Sequence, residues 1–155
     1  MRSTKCGFVD VQGGLTACDG LVQWGPTLLV DIGFDPNYIF SPTAPPPIPG
    51  KTGLHALVDT GATESCIDSL LAAQLNLPVV DRRTTAGAHG AKEVNMHLAQ
   101  VHIPTLNYTI YGAFAGVDLH AGGQLHYALI GRTFLQDFKM VYEGPTGSVE
   151  LIRST

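Results

Sequence analysis

The chain carries little charge and no concentration of basic residues. Charged residues make up 14% of its 155 residues, and 9 Lys and Arg against 13 Asp and Glu give a formal net charge of −4. Proteins that bind nucleic acid show a basic patch or stripe, whereas the basic residues here are scattered along the chain. We therefore expect no nucleic-acid partner.

Long apolar runs are also missing. No stretch approaches the roughly 18 consecutive apolar residues that a membrane-spanning helix needs. The positively charged start reaches Asp10 and Gln12 before any apolar run long enough for a signal peptide. We expect no membrane partner and no secretory leader.

Cysteine is scarce and its spacing is uninformative. Cys6, Cys18 and Cys66 are odd in number and lack a CxxC spacing, which argues against a disulfide framework or a zinc site. The histidines show no recognised metal-ligand spacing either. We expect a soluble cytoplasmic protein that uses no metal and no other cofactor.

Glycine and proline, by contrast, are plentiful. The chain has 18 Gly and 10 Pro among 45% apolar residues, a mixture typical of an all-β protein with many turns. A domain of about this length buries roughly 68–70% of its unfolded surface, so one domain is expected. We assign residues 26–155 to that domain and residues 1–25 to an N-terminal extension.

A proline-rich insert occupies residues 35–51 of the domain. Proline cannot donate to a strand ladder and favours extended backbone. The insert is either a surface crossover between strands, a docking segment for a proline-binding partner, or a guard over a functional site.

The remaining segments predict strands and little helix. Residues 65–78 predict a short helix whose first turn Asp68 can cap. Apolar parity changes along residues 92–103, which predicts a bulge or bend near Ala99 and Gln100. Alternating or β-branched runs predict strands at 28–34, 54–58, 108–114 and 128–130, and hairpins at 79–85 with 92–98 and at 139–143 with 148–152.

One four-residue motif stands at the end of the apolar run 54–58. It is Asp59-Thr60-Gly61-Ala62, the pattern by which a sheet protein presents a carboxylate at a sharp turn. Such a motif occurs by accident in about one chain of this size in a hundred. No second Asp-Thr-Gly or Asp-Ser-Gly occurs in the sequence, so a second carboxylate of this kind has to come from another molecule.

A second sequence element strengthens the functional interpretation of the Asp59 motif. The apolar run 127–130 ends in Gly131-Arg132 and enters a short helical segment. The order of catalytic-type strand, helix, small-residue hairpin and apolar strand into Gly-Arg resembles the retropepsins, the single-domain aspartic proteases of retroviruses and their relatives in cellular genomes. Residues 57–62 and 129–132 carry the resemblance, with a weaker match at the glycine-rich residues 87–90.

The resemblance implies a fold and an activity. The fold is an all-β, retropepsin-like acid protease barrel with a flap hairpin and one or two short helices, one lobe per chain. Retropepsins are homodimers that hydrolyse peptide bonds in a polypeptide substrate, with one aspartate from each subunit. The implied catalytic residues are Asp59, Thr60 and Gly61; the implied substrate-binding residues are Ala62, Gly87, Ala88, His89 and Gly90; Gly131 and Arg132 give structural support.

The chemistry of such a pair follows from electrostatics. Two carboxylates about 3 Å apart cannot both ionise cheaply, so they share one proton and titrate as a unit. The ionised member takes a proton from water while the protonated member polarises the scissile carbonyl, and no covalent intermediate is needed. Thr60 would brace the two loops across the dimer. Gly61 would supply a positive φ or a close backbone approach.

Two features depart from the retropepsin pattern. Thr63 stands where many members place an acid, so Arg132 is expected to pair with Glu64 instead, to have no partner, or only to cap the short helix. The extension and the C-terminal hairpin replace the simple terminal strands that join retroviral dimers. An alternative function therefore stays open: a dimerisation or peptide-binding module of the same fold without proteolysis. A small β-barrel with an accidental motif is the third reading.

Overall fold

A computed structural model describes residues 2–87 and 90–154. In this part of the chain, ten strands and three short α-helices alternate with two 3-10 turns. The helices are α1 (Ala17–Trp24), α2 (Ser69–Gln74) and α3 (Arg132–Leu135). The strands are β1 (Arg2–Lys5), β2 (Thr27–Gly33), β3 (Lys51–Val58), β4 (Cys66–Asp68), β5 (Val79–Gly87), β6 (Gly90–Ile103), β7 (Tyr108–Val117), β8 (Ala128–Ile130), β9 (Lys139–Glu143) and β10 (Ser148–Arg153).

Seven strands form the main sheet in the order β2-β3-β8-β4-β7-β6-β5. An additional pairing of β2 with β6 closes the first six of these into a barrel. Side chains alternate between core and surface as the period of a strand requires: Leu54, Ala56 and Val58 of β3 are buried, and the residues between them are half-buried. The predicted all-β barrel is confirmed.

The two ends of the domain meet in a second sheet of order β1-β10-β9. The ladder continues beyond β1, where the Cys6 N–H donates to the Val149 carbonyl at 2.9 Å. Helix α1 then follows, capped by the Thr16 hydroxyl, which accepts from the Asp19 N–H at 3.1 Å. The described part of the extension thus packs on the domain, and α1 adds a third helix to the one or two expected.

The proline-rich insert is a loop between β2 and β3 that Asp35 holds at its base. The Asp35 carboxylate accepts from the N–H groups of Asn37 at 2.9 Å and Ile48 at 3.0 Å. Gln100 of β6 bonds the backbone of Asp35 in both directions, at 2.7 and 3.1 Å. Farther along the insert, Phe40 stacks on Tyr111 of β7 with ring centroids 4.9 Å apart. The insert therefore lies over the barrel wall.

Two details of the prediction change. The helix expected over residues 65–78 is shorter, because Cys66–Asp68 form β4 before α2 begins. Of the bulge or bend expected near Ala99 and Gln100, the bulge is not found, since β6 pairs with β7 without a register shift from Met96 to Ile103. The parity changes because β6 exchanges its other neighbour from β5 to β2 there, which buries both faces.

No helix within residues 2–87 and 90–154 is long and apolar enough to cross a membrane.

Asp68 joins three parts of the fold and generates a stability prediction. Its buried carboxyl accepts from the N–H of Leu71 at 3.1 Å, which caps α2 as predicted, and from the N–H groups of Leu119 and His120 at 3.1 and 3.0 Å. We expect Asp68→Ala to lower the free energy of unfolding by about 2–4 kcal/mol, because it leaves buried donors unpaired.

Urea denaturation measures this change. The matched control is Asp137→Ala, which removes an exposed carboxyl and should change the free energy of unfolding by less than about 0.5 kcal/mol. Equal losses in the two variants would contradict the assigned role of Asp68.

Candidate active site

Asp59 lies where two parallel strands of the barrel end side by side. Val58 of β3 is in register with Ile130 of β8, and both are buried. The Asp59 N–H donates to the Ile130 carbonyl at 2.9 Å, and the Val58 N–H donates to the Pro26 carbonyl at 2.8 Å. These bonds hold the backbone at Val58 and at Asp59 on opposite sides, while the Asp59 side chain is half-buried at the barrel end.

The turn after Asp59 folds back onto its own carboxylate. The Gly61 N–H donates to Asp59 Oδ1 at 2.9 Å, and the Ala62 N–H donates to the Asp59 carbonyl at 3.2 Å. A Cβ on Gly61 would lie 3.1 Å from Asp59 Oδ1, and the φ of Gly61 is not positive. Of the two reasons expected for this glycine, close approach is therefore the one that applies, and the approach is to the carboxylate itself.

Arg132 ties the turn to the start of α3. Its guanidinium donates to the Thr60 carbonyl at 2.8 Å and to the Thr63 hydroxyl at 3.0 Å. Its backbone N–H donates to the Ala62 carbonyl at 2.9 Å. Of the alternatives left open for Arg132, a lack of partners does not apply, and the partner is not Glu64: Thr63, the residue at the position expected for an acid, accepts from the arginine through its hydroxyl.

Gly131 lies where the segment that follows Asp59 packs against the segment that starts α3. Its N–H donates to the buried Ser65 hydroxyl at 3.0 Å, and a Cβ on it would lie 2.6 Å from the Glu64 carbonyl carbon. Any larger residue would therefore push the two segments apart. No local sequence pattern indicates this role of Ser65, because its partner is 66 residues away.

The predicted flap is the hairpin of β5 and β6. Gly87 pairs with Gly90 at its far end, and Gly90 has a φ of +99°, which favours glycine. Ala88 and His89, the other two residues predicted to contact substrate here, lie outside the described residues. On the stem, Arg83 Nη1 is 3.8 Å from Glu64 Oε2, so the hairpin approaches the Asp59 turn from the Glu64 side.

Close to its far end, the hairpin is joined by a charged contact to Asp118, which follows β7. Lys92 Nζ lies 2.9 Å from Asp118 Oδ2, and the Ser69 hydroxyl donates to Asp118 Oδ1 at 2.6 Å. The Ser69 hydrogen bond, followed by the Lys92 ammonium, lowers the pKa of Asp118 below its ordinary value. Both charged groups are exposed, so the contact orients the hairpin more than it stabilises the fold.

A thiol lies close to the site but is poorly suited to nucleophilic chemistry. Cys66 is buried at the start of β4, and burial, with a smaller contribution from the charge of Asp59, raises its pKa to about 12. A thiol is nucleophilic only as the thiolate, so Cys66 is not suited to act as a nucleophile. Within the described ranges 2–87 and 90–154, no cluster of three or more His, Cys, Asp or Glu side chains could hold a metal ion.

Comparison with known proteins places these residues in a family. The model of the family described as "gag-polyprotein putative aspartyl protease" matches residues 47–137, more than half of the chain. Among solved structures, the chain is similar to EIAV protease complexed with the inhibitor HBY-793, with 20% sequence identity and a TM-score of 0.47 over 72% of this chain and 86% of that one. No curated protein matches the chain significantly.

The tight contact at Gly131 generates a prediction about the integrity of the site. We expect Gly131→Ala to lower the free energy of unfolding by about 1–3 kcal/mol, because the new methyl group would meet backbone atoms of Glu64 rather than a flexible side chain. Gly144→Ala is the matched control, since a Cβ there would be 3.8 Å from its nearest neighbour, Tyr142 Cε1.

Urea denaturation of both variants measures the difference. The control should stay within about 0.5 kcal/mol of the parent. A Gly131→Ala protein as stable as the control would mean that the two segments do not pack as closely as described.

Proposed function

Because the chain belongs to the retroviral-type family of aspartyl proteases, we propose that it is an aspartic endopeptidase whose active site contains two copies of Asp59, one from each subunit of a homodimer. Its substrate is an extended polypeptide. Water, activated between the two carboxylates, is the nucleophile.

The proposal rests on one observation: each chain supplies a single Asp-Thr-Gly carboxylate, that of Asp59. The backbone of its turn is held by buried strands, and the outer side of the turn is exposed. Thr60 and Gly61 of the turn are exposed, whereas the strands behind it are buried. The rigid backing supports precise positioning of the carboxylate, on which catalysis depends. The open side leaves room for a second, identical turn and for substrate.

The division of labour between the two aspartates then follows from their proximity. Two carboxylates in contact hold one proton between them. The ionised one accepts a proton from the bound water as it attacks the peptide carbonyl, and the protonated one donates a hydrogen bond to the carbonyl oxygen. The proton that leaves the water reaches the departing amine through the same pair, so atoms and charge balance without an enzyme-bound intermediate.

The other residues of the site have supporting roles in this proposal. Thr60 braces the two turns against each other, and the Gly61 N–H orients its own Asp59 carboxylate. Gly131 and Arg132 keep the Asp59 turn in position at the end of the barrel. Substrate would lie against the turn at Ala62 and beneath the hairpin at Gly87 and Gly90, where backbone N–H and C=O groups can bind an extended strand. Ala88 and His89 stay predicted substrate contacts.

Replacement of the carboxylate tests the proposal directly. We expect Asp59→Asn to lower cleavage of an unstructured polypeptide by about 10²–10⁴-fold or more between about pH 3 and 8, because an amide cannot share or accept the proton. Cleavage is measured by the appearance of new peptide termini. Asp137→Asn, an exposed carboxyl outside the site, should cleave like the parent.

Two further outcomes decide between the proposal and a binding module of the same fold. Specific activity of the parent should fall on dilution towards the dimer dissociation constant, since only the dimer is competent. If neither the parent nor Asp59→Asn cleaves the polypeptide while both bind it, the endopeptidase is excluded and the binding module stands.

The residue after Gly61 generates a prediction about pH. A serine at position 62 could donate a hydrogen bond to the ionised aspartate, but Ala62 offers no such donor, and a carboxylate without that donor is less favoured in its charged form. We expect maximal activity at mildly acidic to neutral pH, and we expect Ala62→Ser to move the acid limb of the pH–rate profile to lower pH. A parent profile that peaks at about pH 2 to 3 would refute this reasoning.

A further inference from the structure

A pocket of about 390 Å³ lies between the proline-rich insert and the ends of β1 and β10. The terminal sheet contributes Arg2 and Arg153 to its lining, and the start of β7 contributes Tyr108. The insert contributes Tyr38 and Phe40. None of the described residues that line the pocket belongs to the Asp59 turn or to the hairpin of β5 and β6. The pocket is therefore separate from the candidate active site.

The charge of the pocket is opposite in sign to that of the chain. Its described lining includes two arginines and neither Asp nor Glu, whereas the whole chain has a net charge of −4. Arg2 lies directly opposite Arg153 in the antiparallel pairing of β1 with β10, so both side chains leave the sheet on the same face. Like charges in that arrangement repel each other and destabilise a sheet. An anion bound between the two arginines would remove the repulsion.

Neither arginine forms an ion pair with a carboxylate within residues 2–87 and 90–154, where the ion pairs involve other basic side chains. Arg2 Nη1 donates instead to the Asn107 carbonyl at 3.3 Å. The Arg153 guanidinium lies over the Tyr108 ring, 5.0 Å from its centroid. Two consecutive residues of the barrel thus orient both guanidiniums. Because each guanidinium has five N–H donors, most of these donors stay free for a ligand.

The insert gives the pocket an aromatic and apolar side. Phe40 stacks on Tyr111 with ring centroids 4.9 Å apart, and Tyr38 meets the same ring edge-on at 6.1 Å. These contacts hold the two aromatic side chains of the insert that line the pocket. Proline rings, which lose little conformational freedom when a ligand binds, complete this side: Pro42, Pro45 and Pro46. A flat aromatic group is complementary to such a surface.

We propose that this pocket binds a small molecule that carries a phosphate monoester on an aromatic body. A phosphate monoester has a charge of about −1.5 to −2 at pH 7, which matches the two arginines, and its oxygens accept from guanidinium N–H groups in pairs. The aromatic body lies against Phe40 and the prolines of the insert. The volume of the pocket falls in the range of about 300–1,000 Å³ that small-molecule sites occupy.

Calorimetric titration with phenyl phosphate, in a buffer free of phosphate, tests the two arginines. We expect Arg2→Gln and Arg153→Gln each to raise the dissociation constant about tenfold or more, because each removes charge-assisted hydrogen bonds. Lys5→Gln is the matched control: it removes an exposed basic residue of β1 that does not line the pocket, and it should stay within about twofold of the parent. A parent that does not bind phenyl phosphate, or arginine variants that bind it like the control, would overturn the site.

Two further probes separate the phosphate from the aromatic body. Phe40→Ala should weaken phenyl phosphate about threefold or more and leave inorganic phosphate unchanged, whereas Ile39→Ala, at a 72% exposed residue outside the lining, should change neither. Inorganic phosphate that binds as tightly as phenyl phosphate would show a site for free phosphate and overturn the aromatic body. Benzoate, with a single charge, should bind more weakly than phenyl phosphate, and equal affinities would overturn the phosphate monoester.

The same titrations in Asp59→Asn separate this inference from the proposed function, since the pocket contains no part of the Asp59 turn. Asp59→Asn should bind phenyl phosphate like the parent, and a loss of binding in this variant would overturn the assigned location. A parent that cleaves polypeptide but does not bind phenyl phosphate overturns the pocket and leaves the endopeptidase intact. A parent that binds phenyl phosphate through Arg2 and Arg153 but cleaves nothing supports the pocket and overturns only the endopeptidase.

Discussion

The hydrogen bond from the Asp59 N–H to the Ile130 carbonyl is the contact on which the site depends. It is the last rung between the parallel strands β3 and β8, and it joins segments that are 71 residues apart in the chain. Beyond this rung the backbone has to turn, and Arg132 holds the turn by reaching across from the second segment. Because both strands are buried, the carboxylate is presented by a frame that has little freedom to move.

The same arrangement explains why the proposed active site needs a partner. A rigid turn with one carboxylate can bind a proton or a water, but the sharing of a proton requires two carboxylates in contact. In the proposed homodimer the identical, equally rigid turn of the partner subunit supplies the second carboxylate. Activity would then depend on the surface that joins the subunits.

Predictions from sequence succeeded where the signal is local. The alternation in β3 follows from the period of a strand, and the capping of α2 by Asp68 follows from a side chain that reaches three residues forward. Predictions failed where the environment of a residue depends on a segment that is distant in the chain. The change of parity at Ala99 and Gln100 reflects no bulge, because β6 exchanges β5 for β2 as its neighbour there. The roles of Thr63 and Ser65 depend on Arg132 and Gly131, which lie more than 60 residues away.

The amino-acid sequence by itself determined the all-β class, the apolar strands on each side of the site, and the presence of one Asp-Thr-Gly turn per chain, because each of these is written in neighbouring residues. Only the tertiary structure decided which residues hold that turn, why Gly131 has to be glycine, and which edge of the terminal sheet is left open. Those features depend on distances between segments far apart in the chain, and such distances exist only once the barrel has closed.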